Sequence, residues 1–209
     1  MDSRERLADA RLYLCTPLRA DLGPFVSTVC EAGVDVVQLR DKNASAREIL
    51  RASEIVRDAA HAHGALFVLN DRPDLALECG ADGVHVGQDD ATPELCRRIL
   101  GGDILVGLST HAEGELDAAL GQPIDYVSVG PVEPTPTKPG RTGTGLGYVD
   151  YAARRCTVPF FITGGVSAET LPNIAASGGR RFVVVRALTE AEDPGNAARR
   201  LRDLVDGLP

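Results

Sequence analysis

The stretch GPVEPTPTKPGRTGTGLG, residues 130–147, follows a run of strand character, IDYVSV at 124–129. It holds four prolines, five glycines and four threonines, with Lys138 and Arg141 as its cations. Proline lacks a backbone donor and glycine loses the most freedom on ordering, so this segment is neither a helix nor a central strand. It is a loop. Its hydroxyls, glycine N–H groups and cations suit an anion, most simply phosphate, while the plainer alternative is a solvated surface loop. The anion reading gains support because polar clusters stand at equivalent places along the rest of the chain, each after a short apolar strand.

Working outward, strands are expected at 11–16, 34–40, 65–69, 83–86, 104–108, 124–129, 158–162 and 181–185. Helices are expected at 22–32, 45–62, 73–79, 93–100, 113–120, 148–155, 168–177 and 191–205, with residues 1–10 a leading helix or arm, helical over 4–10. Ser45 with Glu48 three residues on forms a capping box, and Pro93 suits a first helical turn. Short apolar strands without polar alternation imply a parallel sheet covered on both faces. Eight such units in 209 residues predict a single-domain α/β protein over 1–209, a TIM (β/α)8 barrel near the lower size limit of that fold. A doubly wound open sheet is the competitor, but it expects phosphate-binding glycines after the first strand, where Pro17-Leu18-Arg19 stands instead.

Composition bounds the partners. Hydrophobic residues make up 44%, charged residues 25%, and the net charge is −8. An acidic surface argues against nucleic-acid or membrane partners, so an anionic ligand must be held by local cations. No signal peptide or apolar run long enough to span a bilayer is visible, and a cytoplasmic setting is expected. Cys15, Cys30, Cys79, Cys96 and Cys156 are odd in number and widely spaced, with no CxxC pair, which predicts reduced thiols. The oligomeric state is not fixed by the sequence, and a homo-oligomer is compatible with it.

In a barrel the loops after the strands carry the chemistry. After the second strand, Gln38, Arg40 and Lys42 share one direction by the strand period of two, an amide and two cations converging. Asn70-Asp71 follows the third strand and Asp89-Asp90 the fourth. Asp71 and Asp90 can hold Mg²⁺, which completes its shell with water and phosphate. They can equally be caps of the helices that follow, and Asp89 is an alternative to Asp90. Ser109-Thr110-His111 follows the fifth strand, with His111 either a general base or a solvent-exposed residue at a helix start. His85 lies in a strand and reads as a satisfied core histidine, whereas His61 and His63 read as surface residues. Thr163-Gly164-Gly165 exposes backbone N–H groups to phosphate, helped by the next helix N-terminus, or is simply a tight turn. Arg186 opens the last helix. No nucleophile–base pair stands out, so stabilisation of a leaving pyrophosphate fits better than covalent catalysis.

The motifs QLRDK (38–42), NDRPDLA (70–76), GADGVHVGQDD (80–90), GLSTH (107–111), DYVSVGPVEPTPTK (125–138), TGG (163–165) and VVVRALTEAEDP (183–194) resemble those of the thiamine-phosphate synthase (thiamine-phosphate pyrophosphorylase) family. The resemblance covers about 12–194. It implies a TIM barrel that joins 4-amino-2-methyl-5-hydroxymethylpyrimidine diphosphate to hydroxyethylthiazole phosphate. The products are thiamine phosphate and pyrophosphate, formed by a dissociative, Mg²⁺-assisted substitution. Carried over residue by residue, Gln38, Arg40, Lys42 and Asn70 hold the pyrimidine diphosphate, with Arg40 counted among the catalytic groups. Asp71 and Asp90 bind Mg²⁺, which favours Asp90 over Asp89. Ser109 and Lys138 contact the diphosphate, and Lys138 stabilises the charge developing on it. Thr135, Thr137 and Gly165 grip the thiazole phosphate, with the backbone near Val185 and Arg186. Arg186 departs from the family, which often has serine there, and Pro136 and Pro139 are extra prolines in the phosphate loop. Two other functions compete, a thiazole tautomerase of the same fold and a non-catalytic thiamine-phosphate sensor. Neither would need the paired carboxylates.

Overall fold

A computed structural model describes residues 2–134 and 142–208. Runs rich in Val, Leu and Phe form eight parallel strands: β1 Leu12–Thr16, β2 Val36–Leu39, β3 Leu66–Asn70, β4 Gly83–Val86, β5 Leu105–Thr110, β6 Tyr126–Val129, β7 Phe160–Ile162 and β8 Phe182–Val184. Each pairs with the next, and β1 also pairs with β8, so the sheet closes into a barrel. The helices are α1 Ser3–Asp9, α2 Leu22–Glu31, α3 Ala46–Ala62, α4 Pro73–Glu78, α5 Pro93–Leu100, α6 Glu113–Ala119, α7 Gly145–Arg155, α8 Leu171–Ala176, α9 Arg186–Thr189 and α10 Pro194–Asp206. The single-domain TIM barrel is therefore as expected.

Strand alternation divides the core in two. Outward residues such as Leu14, Val37, Phe67, Val84, Val106 and Val127 pack under the helices. Inward residues Tyr13, Val36, Val68, Leu105, Tyr126 and Phe161 fill the barrel. Tyr126 is fully buried and its ring lies across β5, where only glycine leaves room: a Cβ on Gly107 would stand 2.1 Å from Tyr126 Cζ. Tyr126 meets Phe161 edge-on at 5.6 Å, a favoured aromatic geometry.

The opposite end of the barrel, where the strands begin, is tied by aspartates. Asp35, Asp82 and Asp125 accept from Leu12 N at 2.8 Å, Phe67 N at 2.7 Å and Val106 N at 2.7 Å. Asp125 also takes Arg4 at 2.8 Å and Arg97. The leading helix α1 closes this end: Leu7 joins the interior cluster, Arg6 donates to Gly64 O and Arg181 donates to Ala8 O. The Ser45–Glu48 capping box is present at α3.

Some boundaries differ from the sequence reading. β5 continues through Ser109 and Thr110, and β3 includes Asn70, because parallel pairing with Ser128, Val129 and His85 extends that far. Arg186 does not open the last helix. It begins the separate four-residue α9, and α10 starts afresh at Pro194 with Asp193 capping Asn196 N at 2.9 Å. None of the five cysteines is in a disulfide. Among the described residues, no helix is long and apolar enough to cross a membrane.

Adding one methyl at Gly107 must displace a rigid, fully buried ring. Gly107→Ala is expected to lower unfolding free energy by about 1–3 kcal/mol in urea titration. An unchanged midpoint would show that the ring has room to move.

Candidate active site

At the C-terminal ends of the strands opens a cavity of about 600 Å³. Gln38, Arg40, Asn70, Ser109, Gly165, Val185 and Arg186, all singled out from the sequence, line it. Gln38 projects from β2 and is buried, yet its Nε2 has no hydrogen-bond partner among the described residues. A buried amide left unpaired costs about 1–3 kcal/mol, so an acceptor on a ligand is the natural partner. Arg40 follows half-buried and makes no side-chain hydrogen bond or ion pair among the described residues. It is a guanidinium held ready for an anion.

Lys42 is not brought to the cavity. β2 has ended by then, and the lysine turns aside to pair with Asp71 at 2.9 Å. Asp71 takes the left-handed conformation at φ 61°, unusual for a residue other than glycine. It lies beside Asp90, just outside the cavity lining. Burial pushes the Asp71 carboxyl above its ordinary range; Lys42 opposes the rise, and the adjacent Asp90 carboxylate adds to it. The capping reading of this pair does not hold. The N-cap of α4 is Arg72 without a side-chain bond, and α5 is capped by Thr92. Asp90 instead accepts from Gly87 N at 2.9 Å within its own turn. Among the described residues, no group of three or more His, Cys, Asp or Glu could hold a metal, so a cation at Asp71 and Asp90 must draw its other ligands from water or substrate.

The glycine turn follows β7. Gly164 and Gly165 have φ of 92° and 75°. A Cβ on Gly164 would meet Pro131 at 2.4 Å, and one on Gly165 would meet Glu133 Oε2 at 2.6 Å. The start of the 130–147 loop thus packs directly on Thr163–Gly165, with Val132 N donating to Thr163 O at 2.8 Å. The helix expected to abut these glycines does not, since α8 begins only at Leu171 after a Ser167–Thr170 turn. Thr135, Thr137 and Lys138 lie outside the described residues.

The histidines divide. His85 is buried and hydrogen-bonded, as expected of a satisfied core histidine, but it also faces the cavity. His111 is neither solvent-exposed nor in the cavity lining; its ring is 10% exposed and its Nδ1 meets Glu115 at 2.9 Å. His61 and His63 are surface residues on α3 and its C-cap. Sequence reading missed Tyr13, Cys15, Ser128, Glu133 and Glu190 in the lining. A signal existed for Ser128, which pairs with Ser109 across β5 and β6 and so points the same way.

Barrels carry their chemistry where the strands end. A cavity at that end makes the class a (β/α)8-barrel enzyme acting on a small molecule. Comparison with known proteins narrows this. Residues 12–188 match the family model described as thiamine monophosphate synthase. A thiamine-phosphate synthase of Mycobacterium sp. (strain KMS) is 49% identical, covering 94% of this chain and 93% of its own. That of Mycobacterium bovis (strain BCG / Pasteur 1173P2) is 48% identical, covering 94% and 95%. The solved thiamine phosphate pyrophosphorylase from Pyrococcus furiosus superposes with a TM-score of 0.88 at 28% identity, over 98% of each chain. The chain belongs to the thiamine monophosphate synthase family, and it is a transferase of thiamine biosynthesis.

Because Gln38 Nε2 has no partner among the described residues, Gln38→Leu is expected to leave ligand-free stability unchanged or to raise it by about 1 kcal/mol. Thermal unfolding reads this, and a clear loss of stability would mean that the amide is satisfied internally.

Proposed function

We propose that the protein condenses 4-amino-2-methyl-5-hydroxymethylpyrimidine diphosphate with hydroxyethylthiazole phosphate, giving thiamine phosphate and pyrophosphate. The observation that carries this reading is the buried Gln38 amide beside Arg40, neither with a side-chain partner among the described residues, next to a carboxylate pair that caps no helix. An amide and a guanidinium suit a diphosphate substrate. The carboxylate pair suits Mg²⁺: two oxygen donors, one raised in pKa by burial and by its neighbour, would be relieved by a divalent cation.

In this reading Gln38, Arg40 and Asn70 hold the diphosphate, Asp71 and Asp90 hold the metal, and Lys42 reaches the substrate only by leaving its ion pair with Asp71. Bound there, Mg²⁺ supplies charge neutralisation to the departing pyrophosphate. The bond between the pyrimidinylmethyl carbon and the diphosphate oxygen breaks first, and its electron pair leaves with pyrophosphate. Arg40, Lys138 and the Ser109 hydroxyl stabilise the charge that grows on the leaving oxygens. The lone pair of the thiazole nitrogen then closes the new C–N bond. Thr135, Thr137, Gly165 and the backbone at Val185 and Arg186 grip the thiazole phosphate, which holds the nitrogen facing the cation. No general base is required. The reading includes a cytoplasmic setting, in keeping with five cysteines outside any disulfide. A tautomerase or a sensor would leave the Asp71–Asp90 pair without purpose.

Lys138→Ala is expected to lower turnover by about a hundredfold through lost stabilisation of leaving-group charge. Steady-state kinetics with both substrates measure it, and near-normal turnover would remove Lys138 from the mechanism. Asp71→Asn is expected to shift the Mg²⁺ dependence of turnover to higher concentration; an unchanged metal titration would exclude Asp71 as a ligand.

A further inference from the structure

The turn that carries Asp90 is tied to β5 by a residue the reaction above does not use, Gln88. At the ends of β2, β3 and β6 the first loop N–H carries the parallel ladder one step further. Arg40 N donates to Thr16 O at 2.9 Å, Asp71 N to His85 O at 2.8 Å and Gly130 N to Thr110 O at 3.2 Å. β4 ends differently. Its last pair with β5 is Val86 with Leu108, and Gly87 N then turns to the Asp90 carboxylate, donating to Oδ2 at 2.9 Å. Asp90 N donates back to Gly87 O at 3.3 Å. A Cβ on Gly87 would stand 2.8 Å from Asp90 Oδ2, so the turn closes this tightly only over glycine.

That closure takes the backbone away from β5. Along β5, Val106 O and Thr110 O face β6, where Asp125 N and Gly130 N donate to them. Alternate carbonyls of a strand face alternate neighbours, so Ser109 O faces β4. There the strand has ended, and Gln88 Nε2 donates to Ser109 O at 2.7 Å. A side-chain amide thus continues the ladder where the backbone has left it. Both carboxylates are anchored to the end of β4, Asp71 through its N–H on His85 O and Asp90 through Gly87 N. The Gln88 amide sets the tilt of the 87–90 turn toward β5. It does so at a residue that is 6% exposed and lines the cavity, whereas Gln88 is itself exposed and outside the lining.

We infer that Gln88 is a positioning residue that holds the Asp90 turn at a fixed distance from Ser109. A divalent cation at the carboxylates and an anionic oxygen at Ser109 are then in register before either binds, and no turn has to be ordered on binding. Loss of the amide leaves both sites present and frees one to shift against the other, which is a loss of joint binding rather than of either group. The inference rests on the proposed reaction for the identity of the pair, Mg²⁺ and a diphosphate. The tether itself does not depend on it.

The test is calorimetry with inorganic pyrophosphate as the probe, titrated with and without Mg²⁺. Gln88→Leu removes the donor at a similar side-chain size. It should weaken Mg²⁺-dependent pyrophosphate binding about three- to tenfold, the effect of one neutral hydrogen bond. In an Asp90→Asn background the same change should cost little more, because it acts through that turn. In steady-state kinetics, KM for the pyrimidine diphosphate should rise while KM for hydroxyethylthiazole phosphate holds. A Gln88→Leu variant that binds pyrophosphate with Mg²⁺ as tightly as wild type overturns the inference. So does a full Gln88→Leu loss in the Asp90→Asn background, and so do equal rises in the two KM values, which would mean a general loosening of the barrel mouth. A wild-type protein that binds pyrophosphate with Mg²⁺ but does not turn over the two substrates defeats the proposed reaction and leaves this inference standing.

Discussion

Closure of the parallel ladder is the constraint on which the rest depends. β1 must pair with β2 on one side and β8 on the other, and this fixes the stagger of every strand between them. Once the stagger is set, residues far apart in sequence reach one level of the mouth. Asn70 stands opposite His85, and Ser109 opposite Ser128. The interior must then be filled without strain, and the Gly107–Tyr126 pair shows how tightly: the ring occupies the space that a side chain on β5 would need. The same ring carries the hydroxyl that reaches His85, so packing below the site and polarity within it share one residue.

The electrostatics of the mouth are local. The whole chain carries a charge of −8, yet Arg40 stands in the cavity wall with no side-chain partner among the described residues, and the Gly164–Gly165 turn presents backbone there. The acidic surface does not attract anions from a distance, so affinity must come from short-range, desolvated contacts. Asp71 illustrates the other side of that environment. Its carboxyl is raised by burial and by Asp90 despite Lys42 at 2.9 Å, which is the situation a divalent cation relieves.

Much of this was legible in the sequence. Eight apolar runs separated by helical periods gave the barrel, because parallel strands buried on both faces need no polar alternation. Gln38, Arg40, Asn70, Ser109 and Gly165 reach the cavity lining because they stand at or just beyond the C-terminal ends of strands, where the fold puts its cavity. What failed were matters of direction. Lys42 continues the period of Gln38 and Arg40 on paper, but the strand has ended before it and the loop turns it to Asp71. His111 read as either a general base or a solvent-exposed residue at a helix start; its ring is instead held against Glu115 near the start of α6, outside the cavity lining. Tyr13 and Tyr126 were not singled out, since only the closed barrel brings their hydroxyls together from 113 positions apart.

The central claim, a diphosphate leaving group drawn off a pyrimidine with a thiazole phosphate as acceptor, is tested most directly by pyrophosphate release from the purified protein. Release that requires both substrates together with Mg²⁺ is the result the account predicts. Binding of either substrate with no pyrophosphate released, metal present, would contradict it.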